Sequence, residues 1–429
     1  MKKISILFLG FILLFLNNYA QDTLRVVQYN LLYYGLEDND CNSQNNNIND
    51  KTNYLKTIVS YLKPHIFAVN EINALENYHD YLLANVFLYN GFSCYHRAEV
   101  HGQYLTNQIF YNYCKLGLLK TDYINAYPRD VFVYKFYYKS PDLQNNADTI
   151  FIWYFLNHFK AGDQTENQND RANTAQAIID YITEHNLENK NIILSGDLNL
   201  YTSEEPAYQK LTNNSNPNIN FVDPGESGAW HENQNFALLH SQSTHYYSNG
   251  CASGGGLNDR FDFILFSQAM NNSLNPIHYI NGSFKVIGQD GQHFNMSVNY
   301  NGNNSVPSEV LNALANNSDH LPVYAEFFIN QTPAPSNVKS QIKQSKLFAY
   351  NNPVHDILKI QILSREKLLN PNVNIEIFNV LGQKIFNKNI NLTPNQIQIN
   401  LNLEKLKDGI YFVKITNNSI KYRFSIIKE

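Results

Sequence analysis

Two rhythms of apolar and polar residues run along this chain. Between residues 23 and 329, short apolar runs bounded by polar residues alternate with stretches where apolar residues recur every three or four positions. The first pattern predicts buried strands and the second predicts helices with one buried face. Strands are predicted at 24–34 (LRVVQYNLLYY), 65–72 (HIFAVNEI), 149–159 (TIFIWYFLNHF), 191–199 (NIILSGDLN), 259–267 (DRFDFILFS) and 321–329 (LPVYAEFFI). Helices are predicted at 51–62 (KTNYLKTIVSYL) and 171–185 (RANTAQAIIDYITEH). Strands with helices between them predict a layered α/β or α+β sandwich. The asparagine-rich stretch 42–49 predicts a mobile loop.

The texture changes after QTPAPSNVKSQ at 331–341, which has linker composition. Segments 355–363, 372–386, 397–406, 409–416 and 420–428 alternate apolar and polar residues with no helical pattern between them. They predict five strands of a small β-sandwich. At the other end, Lys2 and Lys3 precede an apolar run at 4–16 that is too short to span a bilayer. This reads as an export signal cleaved after Ala20, with an N-terminal anchor helix as the alternative. The expected plan is a signal at 1–20, one domain at 21–333, a linker at 334–345 and a second domain at 346–429.

Composition sharpens this plan. With 43% hydrophobic residues, 30 Tyr and 26 Phe, the chain is globular and suited to strands. Export implies an oxidising compartment, in which Cys41, Cys94, Cys114 and Cys251 can form two bridges; three pairings are open. No C-x-x-C pair is present, which argues against a structural zinc site. Charge is divided between the domains. Residues 21–345 hold 18 Lys and Arg against 31 Asp and Glu, whereas 346–429 hold 12 against 6. A domain this acidic binds phosphate polymers poorly without a metal ion or a local cationic cluster.

Several predicted strands end in, or are interrupted by, polar residues: Asn30, Glu71, His158, Asp197 with Asn199, Asp262, and the pair Asp319–His320. Each alone is an ordinary cap or turn residue. Together, at one edge of a sheet sandwich, they would gather carboxylates, amides and two imidazoles in one cleft. Strand alternation would place Asp197 and Asn199 on the same side. Clustered carboxylates repel, and a hard divalent cation relieves that repulsion. An oxygen-rich set without cysteine favours Mg²⁺, with Mn²⁺ and Ca²⁺ as alternatives. Two histidines beside it suit phosphoester hydrolysis. Arg129 and Arg171 are candidate phosphate contacts, with surface salt bridges as the competing reading.

At these residues the chain resembles the endonuclease/exonuclease/phosphatase superfamily, relatives of deoxyribonuclease I. The stretches VVQYNLLYYG, IFAVNEIN, LNHFKAG, ILSGDLNLY, DRFDFILFS and NNSDHLPVYAEF carry the resemblance, in the family's order. It implies a four-layered α/β sandwich of two sheets and metal-dependent phosphoester hydrolysis. Carried over, Glu71 is the main metal ligand, Asn30 sits beside metal and phosphate, and Asp319 assists at the metal. His320 activates water or holds the phosphate, with Asp262 as its carboxylate partner. Asp197 and Asn199 orient the attacking water, and His158 contacts a phosphate oxygen or the leaving group. Asn70 stands where glutamine is common, and Leu32 where some DNA-repair members carry a second acidic ligand.

Residues 346–429 resemble the C-terminal sorting domain of the type IX secretion system, through LFAYNNPVHDILKI, IEIFNVLGQKIF and LKDGIYFVKI. That implies the type IX secretion machinery as partner and a secreted or outer-surface location, with no transmembrane segment after signal removal. A carbohydrate-binding β-sandwich competes but lacks an identifiable aromatic platform. The expected function is a secreted, Mg²⁺-dependent phosphoesterase acting on extracellular DNA or RNA. The alternatives are a sphingomyelinase-like or small-molecule phosphodiesterase and a catalytically silent surface-binding module.

Overall fold

The computed structural model describes residues 21–330 except 39, 90–93, 141–142 and 144–148, and then 348–350, 353–362, 372–379, 382–392, 398–417 and 421–428. The expected signal at 1–20 and linker at 334–345 lie outside the described residues.

In chain order the first part runs β1 (Gln21–Tyr34), α1 (Ile48–Leu62), β2 (Ile66–Asn73), α2 (Glu76–Leu82), β3 (Tyr95–Arg97), β4 (Leu105–Asn112), β5 (Leu116–Ile124), β6 (Val131–Tyr138) and β7 (Phe151–His158). It continues with α3 (Thr165–Glu184), β8 (Ile192–Asp197), α4 (Pro206–Thr212), β9 (Phe221–Val222), β10 (Asp262–Ser267), β11 (Ile277–Tyr279), β12 (Lys285–Val286), α5 (Ser308–Asn317) and β13 (Val323–Asn330). One sheet has the order β11-β13-β1-β2-β4-β3, with β12 also on β13; the other has the order β5-β6-β7-β8-β10-β9.

The two sheets face each other, and alternation along each strand decides which layer a residue joins. On β7, Tyr154 and Leu156 enter the core between the sheets, while Trp153 and Phe155 join the core beneath α3 and α4. On β8, Ile193 goes to the first core and Ile192 and Leu194 to the second. α1 and α5 cover the outer face of the first sheet through Leu55, Ile58, Val59, Val310 and Leu314. The result is helix, sheet, sheet, helix: a four-layered α/β sandwich.

Each predicted strand and helix of this part is present, with ends shifted by a few residues. The chain also forms β4, β5 and β6, which were not expected although VFVYKFYY at 131–138 has strand composition. The asparagine-rich stretch is a correction, because hydrogen bonds organise it. Asn47 caps α1 by accepting from the amides of Asn49 and Asp50, and Asn46 is buried. Cys41 just before it bridges to Cys251, and Cys94 pairs with Cys114, which closes the question of pairing.

Strands β14 (Phe348–Tyr350), β15 (Ile357–Ile362) and β18 (Gln398–Asn402) make a three-stranded sheet. Strands β16 (Asn372–Phe378), β17 (Lys384–Asn391), β19 (Gly409–Thr416) and β20 (Lys421–Lys428) make a four-stranded one. Leu358, Ile360 and Leu401 from the first share one apolar cluster with Ile375, Val413 and Ile426 from the second. The β-sandwich is as expected, and the segment 372–386, whose LGQK sequence reads as a turn, is a hairpin, β16 paired antiparallel with β17, so that more strands form than the five expected. The Gly382 turn splits it, at a left-handed φ of +77°.

Candidate active site

The strand ends converge. In the second sheet β7 runs parallel to β8 with His158 opposite Asp197, and β10 runs antiparallel to β8 with Asp262 opposite Asp197. One row across three strands therefore carries His158, Asp197 and Asp262. The backbones of β7 and β8 come very close here: a Cβ on Gly196 would lie 2.1 Å from the Asn157 carbonyl oxygen. In the first sheet β1 and β2 are parallel with Asn30 opposite Asn70, and the register then shifts, releasing Glu71 at a left-handed φ of 58°. Ser318 Oγ donates to the Asn30 carbonyl at 2.7 Å, which brings the Asp319–His320 turn to the same edge.

A buried amide network joins the sheets beneath the site. Asn70 Oδ1 accepts from Gln28 Nε2 and from the Asp197 backbone N–H, while its Nδ2 donates to Asn107 Oδ1 and the Asn157 carbonyl. This is what the asparagine at position 70 does: it ties β2 to the strand that carries Asp197.

Above that network, Asn30 Nδ2 donates at 3.0 Å to both Glu71 Oε1 and Asp197 Oδ2. His158 Nε2 lies 3.7 Å from each of the same two oxygens. One ligand atom each from Glu71, His158 and Asp197 fall within 4.8 Å of one another, a spacing that can hold a metal ion. His320 Nε2 is 3.7 Å from Asp197 Oδ2, and its Nδ1 pairs with Asp262 Oδ2 at 2.7 Å. Ser241 Oγ also donates to Asp262 Oδ2 at 2.7 Å. Asp319 turns its Oδ2 to the Ser253 N–H and Gln242 Nε2, while its buried Oδ1 has no hydrogen-bond partner among the described residues.

Burial and charge set the protonation of this cluster. Burial pushes the Glu71 carboxyl up, with the Asn30 hydrogen bond opposing. Burial likewise lifts Asp197 to about 7, with the His320 charge opposing and Asp262 and Glu71 adding to the rise. His158 goes the other way: burial, then the charges of Arg129 and His320, hold it well below an ordinary imidazole, so it is neutral at pH 7. For His320 burial opposes the charged ring, but Asp262 and Asp197 outweigh it and raise its pKa well above the ordinary value. A site that raises two carboxyls by burial is stabilised by an added cation, so the donor set fits a divalent metal.

Two expected residues, Asn199 and Arg171, sit differently from the expectation. β8 ends at Asp197, and Asn199 adopts a left-handed φ of 48°, so strand alternation does not reach it. Instead Asp197 Oδ1 accepts the Asn199 N–H in a local turn, and Asn199 Nδ2 donates to the Phe159 carbonyl. Arg171 is fully buried, with its Nε and Nη2 on Glu205 Oε2 and its Nη1 on the carbonyls of Lys160 and Gly162. That corrects the phosphate-contact reading, because no part of this guanidinium is exposed. Arg129 is half-buried, donates to the Phe159 carbonyl, and its charge is felt by Glu71 and His158.

Gln242 and Ser241 were not anticipated. Gln242 Nε2 lies 2.8 Å from His320 Nε2. Both occupy a loop with no apolar periodicity, so no local pattern marks them.

Residues 349–429 match the family described as the secretion system C-terminal sorting domain. This part is a type IX sorting domain, and it directs the chain out of the cell, to the surface or the medium. Among the described residues no helix is long and apolar enough to cross a membrane.

Several solved structures are similar to the chain at low identity. D. rerio TDP2 complexed with single strand DNA product is 14% identical, with 71% of this chain and 98% of that chain covered and a TM-score of 0.45. The human Nocturnin catalytic domain with bound sulfate is 12% identical, covering 72% and 97%, with a TM-score of 0.43. An endonuclease/exonuclease/phosphatase from Beutenbergia cavernae is 11% identical, covering 94% and 99%, with a TM-score of 0.42. No curated protein matches the sequence.

Proposed function

We propose that the chain is a secreted, Mg²⁺-dependent phosphoesterase, nuclease-like in its substrate. One observation carries this reading. Glu71, His158 and Asp197 form a compact donor set, and the buried His320–Asp262 pair stands against the same Asp197 oxygen. A silent binding module has no need of a buried imidazole–carboxylate pair beside a cation site.

Glu71, Asp197 and His158 would hold the metal, with Asp319 Oδ1 near by; Mn²⁺ and Ca²⁺ suit the same donors less selectively. When bound, the metal supplies positive charge to the phosphate oxygens and the leaving group. The protein residues do the remainder. Asp262 fixes His320 by accepting its Nδ1–H and, with Asp197, keeps the ring protonated, so its Nε2–H would hold a phosphate oxygen. Neutral His158 has a ring lone pair to offer the metal, and Arg129 adds cationic charge at the rim. Asn30 holds Glu71 and Asp197 in one orientation through its two donor contacts.

The test is a panel of DNA, RNA, sphingomyelin and bis-p-nitrophenyl phosphate, assayed with Mg²⁺ and with EDTA. Hydrolysis of DNA or RNA that EDTA abolishes supports the proposal. Hydrolysis of sphingomyelin alone moves the assignment to a lipid phosphodiesterase, and inertness toward all four ends the enzyme reading.

A further inference from the structure

β1 finishes in an unusual way. Leu32 and Tyr33 both adopt left-handed backbone, at φ 47° and 52°, although neither is glycine. Left-handed backbone is strained for any residue with a Cβ, so two in succession persist only where the surroundings enforce them. The corner has a use. It turns the Leu32 N–H onto Asn30 Oδ1 at 2.9 Å and the Tyr33 N–H onto Glu71 Oε2 at 3.3 Å. With its Oδ1 held, Asn30 presents Nδ2 to Glu71 Oε1 and Asp197 Oδ2.

Lys51, on the first turn of α1, reaches the corner with its head group. Its side chain is buried, and Nζ lies 2.6 Å from each of three oxygens: the Leu31 carbonyl, the Leu32 carbonyl and Asn46 Oδ1. An ammonium has three N–H donors, and here each has its own acceptor. Two of those acceptors belong to the corner itself. The third, Asn46, is fixed in turn by donating Nδ2 to the Tyr33 carbonyl at 3.0 Å. Burial pushes the Lys51 amine down to about 7, with the charges of Asp319 and Glu71 opposing.

We propose that Lys51 is a positioning residue of the metal-binding edge: its buried ammonium clamps the left-handed Leu31–Tyr33 corner and so sets the orientation of Asn30 and Glu71. The inference deepens the phosphoesterase reading and rests on it for the use of the site. Lys51 touches neither metal nor substrate and acts through backbone carbonyls. Such supporting contacts are worth about 10–100-fold in metal affinity.

The experiment compares the full-length exported chain with Lys51→Met, Lys51→Arg and Asn46→Ala. Calorimetric Mn²⁺ affinity, amide exchange at Leu32 and Tyr33, and kcat and KM on bis-p-nitrophenyl phosphate are read for each. Lys51→Met should bind Mn²⁺ at least tenfold more weakly. It should lose kcat more than KM, and it should expose the two corner amides to exchange. Lys51→Arg, which keeps charge and donors, should recover most of the affinity, and Asn46→Ala should fall between. Mn²⁺ affinity and corner exchange within twofold of the native chain in Lys51→Met would overturn the proposal. If Lys51→Met does not fold, native affinity in Asn46→Ala overturns it instead. If the native chain takes up no Mn²⁺, the phosphoesterase reading fails by itself, and the corner amides still decide whether Lys51 is the clamp.

Discussion

The buried Arg171–Glu205 pair separates a structural cation from a substrate contact, and the arithmetic can be followed from its hydrogen bonds. Glu205 Oε2 accepts from Arg171 Nε at 2.9 Å and Nη2 at 2.7 Å, and Glu205 Oε1 accepts the Tyr201 N–H at 2.8 Å. Replacing Glu205 with leucine leaves a guanidinium buried without its counter-charge, a loss of about 3–5 kcal/mol. A domain of about 310 residues unfolds with an entropy near 0.65 kcal/mol/K, so the midpoint should fall by about 5–8 °C. Arg171→Met should cost a similar amount, by stranding the carboxylate. The double variant Arg171→Met/Glu205→Leu strands no charge. It still loses the partners of the Lys160 and Gly162 carbonyls and of the Tyr201 N–H, at about 1–3 kcal/mol each, and the contact of Arg171 over the Tyr201 ring. The double should therefore be less destabilised than the two singles summed, with a coupling of about 1–3 kcal/mol in the cycle. Calorimetric melts give the stabilities, and kcat/KM on bis-p-nitrophenyl phosphate gives the function. A double variant that shows this coupling yet loses more than about 100-fold in kcat/KM would refute the reasoning and return Arg171 to the substrate.

Three further outcomes are expected. Asp262→Asn should remove the partner that fixes His320, lowering kcat by about 10²–10⁴-fold and lowering the His320 pKa in an NMR titration; unchanged kcat would refute the assignment. Metal affinity should depend on pH with a definite sign. Asp197 carries its proton up to about 7 and Glu71 is also raised, so a bound cation displaces a proton below that pH. Calorimetric Mn²⁺ affinity should fall about tenfold per unit as pH drops below 7, for one displaced proton, and level off above it. Gly196→Ala would push a methyl group against the Asn157 carbonyl and part β7 from β8. It should cost about 1–3 kcal/mol in a melt and at least tenfold in kcat, because Asp197 is the next residue.

Much of the fold was legible because apolar runs and helical spacing report burial locally. The runs at β1, β2, β7, β8, β10 and β13 each marked a strand, and the polar residues at their ends converge as a layered sandwich requires. What remained hidden depends on contacts between distant segments. Nothing around Arg171 tells that Glu205, 34 residues on, claims its guanidinium. Nothing in the 241–242 dipeptide tells that it faces Asp262 and His320. Asn199 shows a different limit: the alternation rule fails where the strand stops, and a left-handed residue re-aims the side chain.

The Cys41–Cys251 bridge spans 210 residues of sequence and joins the two lips of the cleft. On one side Cys41 adjoins the turn that supplies Asn46 to the Lys51 clamp. On the other, Cys251 lies two residues before Ser253, whose N–H holds Asp319. A chain that has not yet left a reducing compartment carries these lips as separate pieces. An oxidising compartment then adds the covalent link between the segment that reaches Lys51 and the one that holds Asp319.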